Sequence, residues 1–315
     1  MPDLTATADP TAILASMADH RARIDDLLSR HPRRLADGSP HPVWSFLFTY
    51  YSYRPAQLRR WHPGFGVVIT PPAAAHYRGH TGYLPVEASV TVSPDHLARR
   101  LGTIGYIDTL LTATQSRPAR LNCFGLHEWA MVYRADDEQI RHGGVPLRLG
   151  SHGTNDVVES LELRCTHFDA FRFFTAAAKP LNSPRTADCG APVPITRDTQ
   201  IRTEQPGCIH AGMDLYKWAY KLSPLIDSTV VADAFELALD LRELDMCASP
   251  YDLRHLGLSP ILIETAAGRA HYARRQSELS QRAGVVREVL AARCQWLSQT
   301  AHESPHRGER VVTCE

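Results

Sequence analysis

Apolar residues recur every three or four positions along much of the chain, and this spacing predicts amphipathic helices. The apolar positions between Ile13 and Leu28 predict a helix over residues 11–29. A proline and an acidic residue at a typical helix start predict a second helix from Asp95. In the C-terminal half, further helices are predicted from near Cys208 onward, over residues 230–246 with a cap at 227–229, and over residues 266–298.

Shorter stretches have the residue pattern of strands. Residues 66–70 and 83–92 are rich in β-branched side chains, which favour a pleated sheet. Residues 144–150 and 160–168 alternate apolar with polar positions, and this alternation predicts two more strands. Residues 124–134 are mostly apolar, so their pattern fits a helix and a buried strand equally well.

These elements predict an α+β fold, helix-dominated, with a small sheet in a single compact domain over residues 1–303. Residues 179–203 contain four prolines and few apolar anchors. We therefore expect an extended, exposed loop there, long enough to act as a lid or a binding loop. Residues 304–315 are polar and are expected to form a flexible tail.

Composition narrows the classes of function. The 315 residues include 34 basic and 34 acidic side chains, so binding to nucleic acid would require a local basic patch. No apolar run reaches the roughly 20 residues of a membrane span, and no contact with a membrane is expected. Seven cysteines without a C-x-x-C pair argue against a zinc ribbon and a disulfide framework. Because the N-terminus also lacks the pattern of a signal peptide, we predict a cytoplasmic protein with reduced thiols.

Three histidines lie among apolar and aromatic neighbours, and each has an acidic residue close by. Burial of an ionisable group costs free energy unless the group is paired or hydrogen-bonded. Each ring alone could satisfy a buried backbone carbonyl, but three such pairs favour a functional site, where perturbed ionisable groups gather. We predict that they meet around one cavity as the candidate catalytic residues. The pairs are His127 with Glu128, His167 with Asp169, and His210 with Asp214.

The third pair has the most informative spacing. In a helix from Cys208, His210 and Asp214 are four positions apart, and Lys217 and Lys221 continue the same face. The helix would then present an imidazole, a carboxylate and two ammonium groups as one surface stripe. A lysine keeps a neighbouring carboxylate ionised, which suits a group that stabilises positive charge or orients water. An ordinary helical salt bridge has the same spacing.

Histidines and carboxylates could also hold a metal ion. His127, His167 and His210 are the candidate ligands of one divalent metal, in a site that combines histidine with carboxylate. No H-E-x-x-H motif is present to identify the metal. The sequence also lacks the G-x-S-x-G, P-loop and dinucleotide-binding motifs, which leaves serine esterases, nucleotide hydrolases and Rossmann oxidoreductases with little support.

Aromatic and arginine residues are interleaved between Trp44 and Trp61, a combination that can stack bases and hold phosphates. Tyr53, Arg54 and Trp61 are the candidate substrate-binding residues of this segment. The same pattern would arise if the aromatic rings formed core and the arginines solvated its rim. Arg172 lies in a phenylalanine-rich stretch, and we expect it to be the polar anchor of a pocket.

Several segments together carry a resemblance to a known family, including CFGLHEWAMVYR at 123–134 and QPGCIHAGMDLYKWAYKLSPL at 205–225. From about His41 to Pro260, the chain resembles a family of actinobacterial proteins commonly labelled 3-methyladenine DNA glycosylase. The resemblance implies a DNA-repair enzyme that hydrolyses the N-glycosidic bond of alkylated purines. It also implies damaged DNA as the partner and no cofactor.

Such an enzyme needs a stacking pocket for the extruded base and a carboxylate that stabilises the cationic sugar. Under this resemblance Asp214, Asp169 or Glu128 would be that carboxylate. Lys217 and Lys221 would hold phosphates, and the aromatic segment would stack the base. The alternative is a small-molecule enzyme, a hydrolase or an oxygenase with or without a metal, whose site combines the three histidine and acid pairs. A noncatalytic binding protein would leave those pairs without a role.

Overall fold

A computed structural model describes residues 6–7, 9–135, 144–183 and 193–303. Helices dominate these residues and a small sheet accompanies them, so the predicted helix-dominated α+β class is confirmed. The α-helices are α1 (Pro10–Arg30), α2 (Phe46–Thr49), α3 (Pro55–Leu58), α4 (Pro94–Gln115), α5 (Leu126–Ala130), α6 (Gly150–Ser160), α7 (Phe168–Phe171), α8 (Gln200–Thr203), α9 (Ile209–Leu222), α10 (Ser228–Cys247) and α11 (Ala266–Glu303).

The sheet has the strand order β1-β2-β4-β3. Its strands are β1 (Ala6–Thr7), β2 (Val67–Ile69), β3 (Tyr83–Val86) and β4 (Ser89–Val92). β4 pairs antiparallel with both β2 and β3, and the short β1 adds to β2 in parallel. The predicted strand at 66–70 is β2, and the predicted run at 83–92 is a hairpin.

The long helices start where capping residues satisfy the free backbone donors of the first turn. Asp9 accepts such a bond before α1, and Ser93 accepts one before α4. Asp227 accepts the Thr229 N–H at 2.6 Å and begins α10. These starts agree with the positions predicted from the sequence.

Helices α9 and α10 form the centre of the helical core. They pack against each other, and both pack against α11, while α4 packs along α11 and α1 against α10. Nearly every residue of α9 is buried, and α10 buries residues on all its sides. A helix that is apolar around its circumference belongs to the interior of a protein. Polar side chains on α9 are therefore carried into the core.

The predicted strands at 144–150 and 160–168 are wrong. Leu147 forms only an isolated bridge with Tyr251, and the residues between the two predicted strands form α6. At 163–165 the buried and exposed side chains do alternate, but among the described residues no strand pairs with this segment. Alternation reports which side chains are buried, and it carries no information about whether a second strand lies alongside.

The proline-rich segment 179–203 is described only at its two ends. A 3₁₀ turn covers Lys179–Leu181, and α8 closes the segment with Gln200 buried in the interior. Both ends contain helical turns instead of extended chain; residues 179–181 are exposed, as predicted, whereas α8 at the other end packs against α4. Residues 184–192 and the predicted tail at 304–315 lie outside the described residues, and the domain limits stay a prediction. Among the described helices, none combines the length and the apolar character needed to cross a bilayer.

Candidate functional site

Three histidine rings meet in the interior of the molecule. The His127 ring lies edge-on to the His210 ring with centroids 4.5 Å apart, and the His167 ring stacks on His210 at 5.4 Å. All three side chains are buried. They come from α5, from the residue that caps α7, and from the first turn of α9. The three rings therefore lie together, but only His127 and His210 line the cavity described below, and a catalytic role for the three stays a prediction.

The polar stripe of α9 faces the interior. His210, Asp214 and Lys217 are at most 9% exposed, so the prediction of a surface stripe is wrong for these three residues. Short helices α5 and α7 cover the stripe by bringing His127 and Asp169 against it. Only the last member of the stripe, Lys221, is exposed.

A cysteine, a histidine and an aspartate form a hydrogen-bonded relay. The Cys123 sulfur lies 3.3 Å from His127 Nδ1, and the opposite nitrogen of the same ring, Nε2, donates to Asp245 Oδ1 at 2.7 Å. Asp245 is completely buried on α10. This arrangement contains a nucleophile, a base within reach of it, and a third group that orients the base.

The environment of the relay favours a thiolate beside an imidazolium. Burial opposes ionisation of the Cys123 thiol, but His127 outweighs it and lowers the pKa of that thiol. Burial also disfavours a His127 cation, yet Asp245 and Cys123 raise its pKa well above the usual value. Burial would raise the pKa of Asp245, and His127 and Arg242 hold it below the usual range instead. The proton therefore resides on the imidazole ring.

The relay opens into a cavity of about 360 Å³. Cys123 and His127 line it together with His210, and residues of α11 close another part of its wall. Two more thiols, Cys165 and Cys208, lie on the same wall. The volume is within the range of roughly 300–1,000 Å³ that is usual for small-molecule sites.

The backbone beside Cys123 adopts an unusual conformation. Phe124 has φ of +52° and Gly125 has φ of +75°, so two consecutive residues are left-handed. This conformation costs a non-glycine residue about 1–3 kcal/mol, and such strain clusters at functional sites. A Cβ added at Gly125 would lie 3.0 Å from the Ala248 side chain. The turn leads directly into α5, where the His127 backbone N–H hydrogen-bonds to the Cys123 sulfur.

Arg242 neutralises the carboxylates on the far side of the relay. Its Nη1 donates to Glu128 Oε1 at 3.1 Å and to Asp245 Oδ2 at 3.0 Å. The guanidinium lies over the Phe46 ring, 4.5 Å from its centroid. Because a buried arginine keeps its charge, it holds Glu128 in an ion pair. The catalytic role expected for Glu128 stays a prediction, and this ion pair counts against it.

The His210 ring differs from its two neighbours. Among the described residues, no hydrogen bond reaches either of its nitrogens, and its ring contacts are with His127 and His167. Burial and the charges of His127 and His167 lower its pKa well below the usual value. The ring is therefore neutral and lines the cavity, where it can accept a proton or bind a polar group of a ligand.

A second buried network surrounds His167. Its Nε2 lies 3.3 Å from Glu204 Oε1 and 3.4 Å from Asp214 Oδ2, without a well-aligned hydrogen bond to either. Burial disfavours the His167 cation, but the two carboxylates raise the pKa of the ring to about 9. Asp214 also accepts hydrogen bonds from the Lys217 ammonium and, at 3.1 Å, from the Tyr51 hydroxyl. Although burial opposes ionisation, Lys217 and His167 keep the pKa of Asp214 below its usual range.

Asp169 lies where this network meets an open cleft. Arg197 Nη2 donates to it at 2.8 Å, Lys217 Nζ at 3.3 Å, and Arg172 Nε approaches to 3.5 Å. Burial opposes ionisation of Asp169, but Lys217 outweighs it and lowers its pKa. Asp169 is thus a carboxylate surrounded by cations.

The cleft has a volume of about 710 Å³ and brings together half of the predicted substrate-binding residues. Arg172, Lys217 and Lys221 line it. Tyr50 and Tyr51 of the aromatic segment line it as well. Neither tyrosine was selected from the sequence, because the alternating pattern of the segment does not identify which rings face a cleft.

The other predicted substrate-binding residues lie elsewhere. Tyr53 belongs to the main hydrophobic core, and Trp61 packs against a smaller core beside the sheet. Arg54 is exposed at the start of α3. None of these three lines the cleft or the cavity. For Tyr53, the alternative that aromatic rings of this segment form core is correct, because the segment folds back on α9 and stacks that ring on Tyr220.

The predicted metal ligands fall into two separate donor groups. One group is His127, Glu128, His210 and Asp245, and the other is His167, Glu204 and Asp214. In the neutral His167 ring, Nδ1 accepts the Ala170 N–H at 3.3 Å, which leaves the proton on Nε2, and in the cation both nitrogens carry protons. A protonated nitrogen cannot ligate a metal. In the group that contains His127, Arg242 already binds both carboxylates, Glu128 and Asp245. A single metal on three imidazoles stays a prediction, and these features count against it.

Four residues of the site were missed from the sequence. Cys123 stands four positions before His127 and Arg242 stands three before Asp245, spacings that place side chains on one helix face. Those spacings were the available signal, but they are common in helices. No pattern in the sequence indicates Glu204, because it follows a proline-rich segment that predicts an exposed loop.

Comparisons of the chain with models of known protein families, with curated proteins and with solved structures find no match. The resemblance to the glycosylase family stays a prediction. The chemistry of the site is therefore argued from the geometry of this chain.

Proposed function

We propose that this chain is an enzyme for small molecules in which Cys123 is the nucleophile. The observation that carries the proposal is the relay of Cys123, His127 and Asp245, whose sulfur lines a cavity of ligand size. The lowered pKa of the thiol supports it, because the thiolate is the reactive form of cysteine. The strained turn that follows the sulfur supports it as well.

The proposed reaction is acyl transfer to the thiol followed by hydrolysis. The Cys123 thiolate attacks a carbonyl carbon and forms a C–S bond, the bond to the leaving group breaks, and the His127 imidazolium protonates that group. Water then attacks the thioester, His127 accepts a proton from the water, and the acid product leaves as the thiolate is restored. Asp245 is a positioning residue that keeps the His127 ring oriented. The net reaction consumes one water molecule per acyl group.

The size and the lining of the cavity support a small substrate. A volume of about 360 Å³ fits a metabolite-sized acyl compound and excludes a duplex. The neutral His210 ring on the same wall is suited to bind a polar group of the substrate. A catalytic thiol also agrees with the proposed cytoplasmic location, where thiols stay reduced.

The DNA glycosylase activity implied by the resemblance stays a prediction, as does damaged DNA as the partner. That activity needs a carboxylate that reaches the sugar of the extruded nucleotide. Asp214 and Glu128 are buried and bound to Lys217 and Arg242, and Asp169 is surrounded by cations. These ion pairs favour the thiol enzyme over the glycosylase.

The proposal is tested by the alkylation of individual cysteines. The protein is treated with iodoacetamide over a range of pH, and each modified cysteine is quantified by peptide mass spectrometry. We expect Cys123 to react about tenfold or more faster than an ordinary thiol near pH 6, where a thiol with pKa about 8.5 is protonated. Rapid acylation of Cys123 by p-nitrophenyl acetate, with a burst of one product per site, is expected in the same protein.

Cys247 is the control within the same chain. It is partly exposed, and burial raises its pKa to about 11, so it should remain slow near pH 6. The Cys123→Ser variant should lose the burst and keep its circular dichroism spectrum. If Cys123 reacts no faster than Cys247 near pH 6, the proposed nucleophile is wrong.

A further inference from the structure

The open cleft beside Asp169 carries an excess of positive charge. Four cationic side chains line it, against one carboxylate: Arg172, Arg197, Lys217 and Lys221 against Asp169. No described residue lines both this cleft and the cavity that contains Cys123, although a small pocket between them shares His210 with the cavity and Asp169 with the cleft. The cleft is therefore distinct from the cavity, and a ligand bound in it does not contact Cys123.

Two of the four cations are committed to internal ion pairs. Lys217 is 9% exposed and binds both Asp169 and Asp214. Arg197 donates to Asp169 from both terminal nitrogens, at 2.8 and 3.4 Å. The Arg197 side chain is 51% exposed, but Asp169 is buried, so the loss of either cation would leave a buried carboxylate poorly compensated, and both stay with Asp169. Arg197 and Lys217 therefore neutralise the negative charge of Asp169.

The other two cations have unused hydrogen-bonding capacity. The Arg172 side chain is 45% exposed and approaches Asp169 only through Nε, at 3.5 Å. Its guanidinium carbon lies 4.5 Å from the centroid of the Phe173 ring, and its terminal nitrogens donate no hydrogen bond among the described residues. Lys221 has no carboxylate within ion-pair distance among the described residues. Burial, Lys217 and Arg100 all lower its pKa, which marks the local field as positive.

We propose that this cleft binds the phosphate group of a small phosphate monoester, with Arg172 and Lys221 as its principal contacts. A planar guanidinium binds two phosphate oxygens at once, and an ammonium group adds a point charge. A dianionic monoester matches the two uncommitted cations, whereas a diester carries a single charge. The volume of about 710 Å³ leaves room for the organic part of the ligand.

The test compares three probes by isothermal titration calorimetry: methyl phosphate, dimethyl phosphate and a single-stranded 12-mer oligonucleotide. We expect methyl phosphate to bind about tenfold or more tightly than dimethyl phosphate, because it carries a second charge. The affinity should fall as salt is added. The double variant Arg172→Gln and Lys221→Gln should lose about tenfold or more of the methyl phosphate affinity.

Arg30→Gln is the matched control, because Arg30 is an exposed arginine on α1 paired with Asp26. It should bind methyl phosphate as the original protein does. Unchanged alkylation kinetics of Cys123 in the double variant would show that the fold is intact. The proposal is overturned if the double variant binds methyl phosphate with unchanged affinity, if methyl phosphate does not bind at millimolar concentration, or if only the oligonucleotide binds.

Discussion

The two nitrogens of the His127 ring have different partners, and this asymmetry determines the chemistry of the relay. Nδ1 lies against the Cys123 sulfur and Nε2 donates to Asp245. A carboxylate on the outer nitrogen stabilises the imidazolium, and the imidazolium in turn stabilises the thiolate. The reactivity of the thiol therefore depends on a residue that does not touch the substrate.

Replacement of Asp245 tests this dependence. In Asp245→Asn the amide no longer stabilises the His127 cation, so we expect the apparent pKa of the Cys123 thiol to rise by about one unit or more, which is about tenfold in thiolate below that pKa. The measurement is the pH profile of iodoacetamide alkylation, together with thiolate absorbance near 240 nm.

The matched control is Asp240→Asn. Asp240 lies on the same helix, α10, but pairs with Arg282 at the surface. Its replacement should leave the pH profile of Cys123 alkylation unchanged. A profile that stays the same in Asp245→Asn as well would show that Asp245 has no influence on the thiol.

Short elements supply part of the site alongside the long helices α9 and α10. Helix α5 carries His127 and Glu128, and α7 carries Asp169 next to its capping residue His167. A helix of four or five residues has too few apolar positions for a periodic signal, and it is stable only through tertiary packing. The sequence therefore left residues 124–134 open between a helix and a strand.

The turn before α5 is sensitive to the loss of its glycine. We expect Gly125→Ala to lower the free energy of unfolding by about 1–3 kcal/mol, because φ is +75° and the new Cβ meets Ala248. Urea unfolding followed by circular dichroism measures this loss. We also expect slower alkylation of Cys123, since the same turn orients its sulfur.

Gly257→Ala separates the two causes. Gly257 has φ of +80°, and a Cβ there would meet no atom within 4 Å. It therefore reports the cost of the backbone conformation alone, and we expect a smaller loss than at Gly125. Equal losses at both positions would remove the close contact with Ala248 from the explanation.

At the level of the whole molecule, buried charges are connected into networks that cross the core. One joins the relay to Arg242, and the other links His167 through Asp214 and Lys217 to the open cleft. Charges buried in a protein interior are stable only when opposite charges compensate them. The stability of the fold must therefore depend on pH.

The His167 ring gives this dependence a direction. Its pKa is raised from about 6.5 in the unfolded chain to about 9 in the fold, so the folded protein binds the proton more tightly. The resulting stability is fully present below about pH 6.5 and is lost as the pH rises through about 9. We expect the urea midpoint to fall between these values, and to fall less in His167→Gln.

His152→Gln is the control for this measurement, because His152 is an exposed histidine that pairs with Asp156 on α6. Its variant should show the same decline as the original protein. An equally steep decline in His167→Gln would assign the alkaline loss of stability to other groups.

The sequence by itself determined the helix-dominated fold class, the long helices and the three histidines. Helical periodicity and capping are local, and a polar residue inside an apolar run indicates burial wherever the run packs. Only the tertiary structure decided the partners of those histidines. The His127 ring contacts both Cys123 and Asp245, which are far apart in the chain. Because α9 faces the interior, its expected surface stripe is a buried network. Such pairings depend on how the helices pack against each other, and the spacing of residues within one segment does not determine that packing.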